Sequence, residues 1–435
     1  MALGGGTFLT QNKILPGSYI NFISASKATA TLSDRGVAAF PLTMSWGPVG
    51  EVFTVTNDEF QKSCMKLFGY AYADDAMAKL RDLMMNVKSC HFYRLNQNGN
   101  NASCAYGRAK YTGVAGNNIT IKISMNEDGV KFDVSTLMSG SVVDTQTVAD
   151  ATGLKDNDYV KWDTTATLAV TAGTPMTGGA DGSVTNNDYQ TFLDKIEAYS
   201  FNTVGTDVTN DTIKRLFVTW TKRMRDEVGV KFQTVLYKYP SADYEGVISV
   251  DNKLKDEAVE SGALVYYVTG AEAGCAVNKS LTNSTYQGEL SVDVDYTQTQ
   301  LENNIKAGKL TFHRVGDDVR ILEDINTFVS VTDDKSEDFS SNQTVRVLDQ
   351  IGNDIANIFN TKYLGKVPND KAGRVALWND IVKHHQELEA LRAIENFDPD
   401  TLTVAQGDKK KAVVVTDYVT PVNAMAQLYM TVIVE

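Results

Sequence analysis

The sequence predicts a multidomain protein of mixed α+β and α/β class. An α/β body carries an inserted all-β domain, a C-terminal α+β domain follows, and extended arms lie at both ends. Three observations support this. Helical and strand periodicities alternate in two blocks, over 23–96 and again over 187–279, as expected for a partly parallel sheet with helices on its faces. The composition changes at Asn96, and from there to about Asn187 the chain is rich in Thr, Gly, Val, Asn and Asp with period-two alternation. The two ends are apolar segments too short to be domains. The expected boundaries are an N-terminal arm over 1–22, a body over 23–96 plus 187–279, an insertion over 97–186, a C-terminal domain over 280–424 and a terminal strand over 425–435.

In chain order, the first arm opens with Gly4, Gly5 and Gly6 and carries Phe8, Leu9, Ile14, Tyr19 and Ile20 around a Pro16-Gly17 turn. Strands are expected at 30–32, 37–42 and 52–55. Asn57-Asp58-Glu59 reads as a cap with acids in the first turn of a helix that buries Phe60, Cys64, Leu67 and Phe68. A second helix is expected over 74–86, and a buried strand over 90–95. In the insertion, strands are expected at 119–123, 130–134, 142–143, 159–162 and 166–170, with a flexible exit over 175–183. The α/β pattern resumes with helices over 189–199, 211–227 and 257–272 and strands over 201–204, 230–237 and 246–250. From about residue 280 a further unit is expected. It has a helix over 298–305 and a hairpin turning at Gly316-Asp317. Two long helices follow, over 343–364 with Val347, Ile351 and Ile355 inward, and over 371–394 with Val375, Trp378, Ile381, Leu388 and Leu391 inward.

Composition narrows the function. The chain has 435 residues and a net charge of −13, from 54 acids against 41 bases, which argues against nucleic-acid binding through its surface. Cys64, Cys90, Cys104 and Cys275 form no CxxC pair and read as buried free thiols of a reducing compartment. No metal-binding spacing includes His91, His313, His384 or His385. The adjacent pair at 384–385 points about 100° apart on a helix, so it is expected on a solvated or helix-contact face. Gly4 to Gly6 follow no strand and precede no Lys-Ser/Thr, so they form no phosphate loop. No apolar run approaches the roughly 20 residues of a membrane span. The start lacks a secretory signal, and synthesis in a cytoplasm is expected. Catalytic, cofactor and metal sites are therefore all expected to be absent. Lys409, Lys410 and Lys411 have two readings, a solvated loop or a docking patch for an acidic partner surface.

The last residues carry the strongest signal. Leu428, Met430, Val432 and Val434 fall on one face of a strand, and Tyr429, Thr431 and Ile433 on the other. Such a strand either pairs within its own domain or completes a sheet in another copy. Burying the four side chains contributes about 6–12 kcal/mol. Ordering the backbone costs on the order of 8–16 kcal/mol. Main-chain hydrogen bonds along a sheet edge, worth about 0.5–1.5 kcal/mol each, decide the balance. Head-to-tail contacts of this type that do not close into a ring propagate as a helix.

Several segments together resemble the contractile tail sheath proteins of bacteriophages and phage-tail-like bacteriocins, especially those of phages and defective prophages of Gram-positive bacteria. They are Gly6-Thr7-Phe8, Leu15 through Phe22, Asp34 through Ala38, Trp46-Gly47-Pro48, Val319 through Thr327 and the terminal strand. The likeness covers most of the chain and is weakest over 97–186. It implies a homo-oligomeric helical sheath around an inner tail tube protein, bounded by baseplate and tail terminator proteins, with no direct nucleic-acid contact and no membrane insertion. It also implies assembly in the bacterial host cytoplasm and release by lysis, as part of a virion tail or phage-tail-like particle. The arms would add strands to sheets in neighbouring subunits, the insertion would point outward, and the C-terminal domain would face the tube, making Lys409 to Lys411 a candidate tube-facing patch. The alternative is another self-assembling particle component: a tail tube, capsid or surface-layer protein.

Overall fold

A computed structural model describes residues 32–434. The chain divides into two units. One comprises 33–354, 388–397 and the chain from Val419 onward, and the other comprises 355–387 and 398–418. The arm residues Phe8, Leu9, Ile14, Tyr19 and Ile20 lie outside the described residues, as does most of the strand expected at 30–32.

The larger unit is built on a seven-stranded sheet in the order Lys309–Leu310, Val247–Val250, Gln233–Tyr237, Thr203–Thr206, Val37–Leu42, Ser89–Arg94, Val52–Thr56. All neighbours are parallel except the last pair. The pleat sorts alternate side chains to opposite faces. Ala38, Phe40, Leu42, Cys90 and Phe92 join a core under the helices Asn57–Phe68, Ala78–Met84 and Leu264–Gly274. Ala39 and Tyr93 join a second core under Asn186–Ile196 and Asp211–Lys222. With both faces covered, the strands read as continuous apolar runs.

Several expectations are revised. The first helix is capped by Thr56, in a capping box with Glu59, not by Asn57. The unit expected from residue 280 does not begin there. Lys309–Leu310 extends the body sheet beside Val247–Val250, and the hairpin Phe312–Val315/Asp318–Ile321 places Phe312 and Ile321 in the body core. The division falls at Asp354, inside the helix Asn342–Ile358. That helix buries Val347, but it also buries Asn342, Gln343, Thr344, Arg346, Asp349, Gln350 and Asp354, while Ile351 and Ile355 are only half-buried. In the helix Lys371–Ala390, Ile381 and Leu388 are buried and Trp378 is half-buried. Val375 is exposed, as is Leu391 just past the helix.

The insertion is all-β, as expected. A four-stranded sheet (Thr171–Pro175, Ile119–Met125, Phe132–Met138, Ser141–Val148) and a three-stranded sheet (Ser103–Cys104, Gly107–Ala109, Val160–Trp162) contribute to one core. The strand expected at 166–170 forms at Thr171–Pro175 instead. The expected flexible exit is tied back by bridges from Asn100 to Ala180 and from Ser103 to Thr177. Buried Arg94, at the end of a body strand, donates to the Gly47 and Thr112 carbonyls and to Asn96, and so joins the body to the insertion. No carboxylate among the described residues bonds it, and burial pushes its guanidinium down to about 10.

A polar cluster closes the larger unit. The Arg346 guanidinium, fully buried, donates to Glu272 Oε2 at 2.6 Å, Asp324 Oδ2 at 3.2 Å and the Lys279 carbonyl at 2.6 Å. Asn342 donates to Asp324 at 2.9 Å and Glu272 at 3.2 Å, and accepts from Gln233 at 2.8 Å. Arg35 caps the helix Leu264–Gly274 by donating to the carbonyls of Glu272 and Cys275. Burial and then the Arg346 charge push Arg35 down to about 10. Burial also pushes Asp324 up, but Arg346 more than offsets this and holds it below the usual carboxylate range. Burial, reinforced by Asp324, pushes Glu272 up to about 8, so this carboxyl holds a proton at neutral pH.

Two predictions follow from this packing. Gly270 meets the Leu83 carbonyl so closely that an added Cβ would lie 2.2 Å from the oxygen. Gly270→Ala should lower stability by about 1–3 kcal/mol in denaturant titration of the monomer, and an unchanged midpoint would refute the close crossing. For Glu272, the folded value of about 8 exceeds the ordinary 4.5, so the folded state binds the extra proton between those pH values. Its contribution is complete below the lower value and is lost as pH rises toward the upper, at up to roughly 1 kcal/mol per pH unit. Glu272→Gln, which mimics the protonated acid, should flatten the fall in stability from pH 5 to 8. Equal slopes in the two proteins would mean that Glu272 is ionised throughout.

Candidate functional site

The candidate site is the C-terminal segment and its anchor. The anchor sits in the larger unit, where Thr420–Pro421 pairs antiparallel with Ile394–Glu395. Beyond it, the Val422 amide donates to the Ala393 carbonyl. Buried Gln343 then treats the chain as a strand would: its Nε2 donates to the Val422 carbonyl at 2.9 Å and its Oε1 accepts from the Ala424 amide at 2.9 Å. Asn423 is held by Thr344 at 3.1 Å. Gln343 is next to Asn342, so the residue that grips the segment adjoins one that bonds Glu272 and Asp324.

At Met425 the attachment ends. Leu428, Tyr429, Met430, Val432, Ile433 and Val434 are between 69% and 89% exposed, and 425–434 pair with no strand among the described residues. The expected strand is therefore not formed at home. Among the described residues the segment has no main-chain partners, and both apolar faces are exposed, a combination that favours pairing with another chain.

A sheet with open edges among the described residues lies in the smaller unit. Thr403–Gln406 and Val413–Thr416 make a two-stranded antiparallel sheet with no third strand among the described residues. Trp378 Nε1 donates to the Leu402 carbonyl at 3.0 Å and Asn369 Nδ2 to the Ala412 carbonyl at 2.8 Å, which fixes the hairpin to its helices. An isolated two-stranded sheet is marginal in water, and further strands stabilise it. Lys409, Lys410 and Lys411 form the exposed turn of this hairpin. Lys410 and Lys411 edge a cavity of about 350 Å³ floored by Phe359, Tyr363, Leu377 and Val413.

The histidine pair is not solvated. His384 and His385 are fully buried, with their Nδ1 atoms 3.2 Å apart and His385 Nε2 2.7 Å from Asp417. They pack the helix against the chain beyond the hairpin. No cluster of three potential metal ligands occurs among the described residues. All four cysteines are free; Cys104 is half-buried and the others buried. Nothing in the apolar pattern singled out Gln343. The only sequence signal was its place at the start of a long helix.

Four family descriptions match in succession. They are the tail sheath protein Gp18 domain III N-terminal region over 35–90, the phage tail sheath protein beta-sandwich domain over 97–181, the phage tail sheath protein central domain over 182–327 and the phage tail sheath C-terminal domain over 334–435. The phage-like element PBSX protein XkdK of Bacillus subtilis (strain 168) is 32% identical over 467 residues, spanning 99% of each chain. The solved sheath tail protein of Desulfitobacterium hafniense is 37% identical with a TM-score of 0.83, covering 94% of this chain and 97% of that one. The anti-feeding prophage helical sheath, solved in its contracted state, shares the fold at 12% identity, with a TM-score of 0.58 over 96% of this chain and 99% of that one. The chain belongs to the phage tail sheath protein family.

Proposed function

We propose that this chain is the structural subunit of a contractile tail sheath. It polymerises helically around an inner tail tube and contracts to drive that tube through a target cell envelope. The observation that carries the reading is the segment 425–434, apolar, exposed and without a strand partner among the described residues, rooted by Gln343 in a folded body. The hairpin Thr403–Gln406/Val413–Thr416 of another copy is its acceptor, and the N-terminal arm serves a second neighbour. With both arms engaged, each subunit is coupled to several others, and the lattice stays connected while the bodies move.

The role is mechanical, not catalytic. Energy enters during assembly, when subunits are held in a metastable packing, and a baseplate signal releases it. The inner tube protein meets the smaller unit, with Lys409 to Lys411 facing it. Baseplate and terminator proteins close the two ends. The insertion points outward. Assembly takes place in the host cytoplasm, and lysis releases the particle.

Deleting 425–435 should leave a folded monomer that forms no tubes in electron micrographs. Normal sheaths from the truncated protein would rule out the donor role. Gln343→Ala should leave the body folded but remove the acceptor of the Ala424 amide, whose hydrogen exchange should quicken by about fivefold for a bond worth about 1 kcal/mol. Unchanged protection would show that the root is held elsewhere.

A further inference from the structure

The polar cluster around Arg346 borders a cavity of about 20 Å³ that the sheath reading does not use. Its walls come from the entry to the body at Ser33 and Arg35, from the approach to the strand Gln233–Tyr237, and from the helix Asn342–Ile358. A volume of this size holds one water-sized species. Sulfate, phosphate and organic carboxylates are too large for it.

Cations dominate the walls. Arg35, Lys231 and Arg346 line the cavity with one carboxylate, Asp349, and both Asp349 oxygens already accept from Arg225, at 2.6 and 2.8 Å. Asp354, one turn further along the helix, accepts from Ser33 and Gln350. With Glu272 protonated, Asp324 balances Arg346. Half-buried Arg35 and Lys231 have no ion pair among the described residues. Arg35 donates to the Glu272 and Cys275 carbonyls, and Lys231 Nζ to the Arg225 carbonyl at 2.5 Å. At about 10, Arg35 still carries its charge at neutral pH, close enough to Arg346 to be repelled by it.

Arg346 supplies a second, independent sign. Its two terminal nitrogens are spent within the cluster, on Glu272, Asp324 and the Lys279 carbonyl. Its Nε lies outside that set of bonds, fully buried and with no hydrogen-bond partner among the described residues. A buried donor without an acceptor is costly, and so is a guanidinium shielded from water without a counter-charge. A water molecule would answer the donor but not the charge. A monatomic anion answers both.

We propose that this cavity binds one chloride ion, held by the Arg35 guanidinium and Arg346 Nε, with Lys231 as the third cation. The ion ties the first residues of the body to the helix Asn342–Ile358. Chloride therefore stabilises the folded subunit as a bound ligand, apart from any effect of salt on assembly.

Thermal melts of the full-length monomer in sodium chloride and in sodium gluconate, at equal ionic strength, test the site, because gluconate is too large to enter. Chloride should raise the midpoint by about 1–3 °C in a saturable way, and Arg35→Gln should abolish the difference between the salts. Equal midpoints in the two salts, or the same chloride rise in the variant, would overturn the proposal and leave the cavity to water. Should Arg35→Gln fail to fold, wild-type crystals grown in sodium bromide carry the test. An anomalous scattering peak within hydrogen-bonding reach of Arg35 and Arg346 Nε is expected, and its absence would overturn the site. A bromide peak without any chloride effect on the melt would mean binding at crystal concentration only, and would equally overturn it.

Discussion

A fully buried guanidinium between two buried carboxyls holds the larger unit together. Arg346 reaches Glu272 on one helix, Asp324 after the hairpin and the Lys279 carbonyl on a connecting loop, so three separated stretches of chain meet at one group. Two carboxylates around one cation would leave an uncompensated charge in a dry site, a costly arrangement. Protonating Glu272 removes it, and the raised carboxyl is the physical consequence. Arg35, close enough to feel Arg346, bonds only main-chain carbonyls among its described contacts. The cluster is satisfied by geometry, with donors and acceptors matched, more than by net charge.

The same cluster determines where the donor segment leaves the body. Asn342 is fixed by Glu272, Asp324 and Gln233, and Gln343 follows it at the start of the same helix. A side-chain amide that both donates to and accepts from the main chain at 422 and 424 ends the fold abruptly: residues up to Ala424 are bonded, and those from Met425 are in water. On the proposed reading, an arm that carries tension between subunits would need such a root, because an anchor that frayed would lengthen the arm instead of moving the neighbour. The root draws its rigidity from buried polar bonds, which hold direction as well as proximity.

Much of this was legible in the sequence, for reasons visible at particular residues. Val37–Leu42 and Ser89–Arg94 are buried on both faces, so their apolar runs announce a covered parallel sheet. The insertion shows itself by alternation at Ile119–Met125 and by the polar Gly-rich entry after Asn96. The boundary at 280 misled because Lys309–Leu310 is two residues long, too short for any periodicity, yet it makes the next chain segment part of the body sheet. The helix Asn342–Ile358 misled for a different reason. Apolar periodicity assumes that the inward face is greasy, whereas this helix turns Asn342, Arg346, Asp349 and Gln350 inward to partners far away in sequence. His384 and His385 are buried in a contact of their helix, one of the two readings that the sequence left open, and are not on a solvated face. The alternation of Leu428, Met430, Val432 and Val434 was readable because it does not depend on where a partner lies.

The charge distribution completes the argument. A chain of net charge −13 repels its own copies at every undirected contact. Association is therefore favoured only where that repulsion is absent or reversed. The segment 425–434 meets the first condition by carrying no charge at all, and residues 1–31 meet the second by carrying lysines without acids. Up to Val434, before the acid Glu435, the C-terminal segment adds no charge to that repulsion, and residues 1–31 add only positive charge. On the proposed reading, polymerisation directed through arms, with bodies that remain mutually repulsive, would give a lattice whose connections survive while the distances between bodies change. A sheath that contracts needs that division between what binds and what moves.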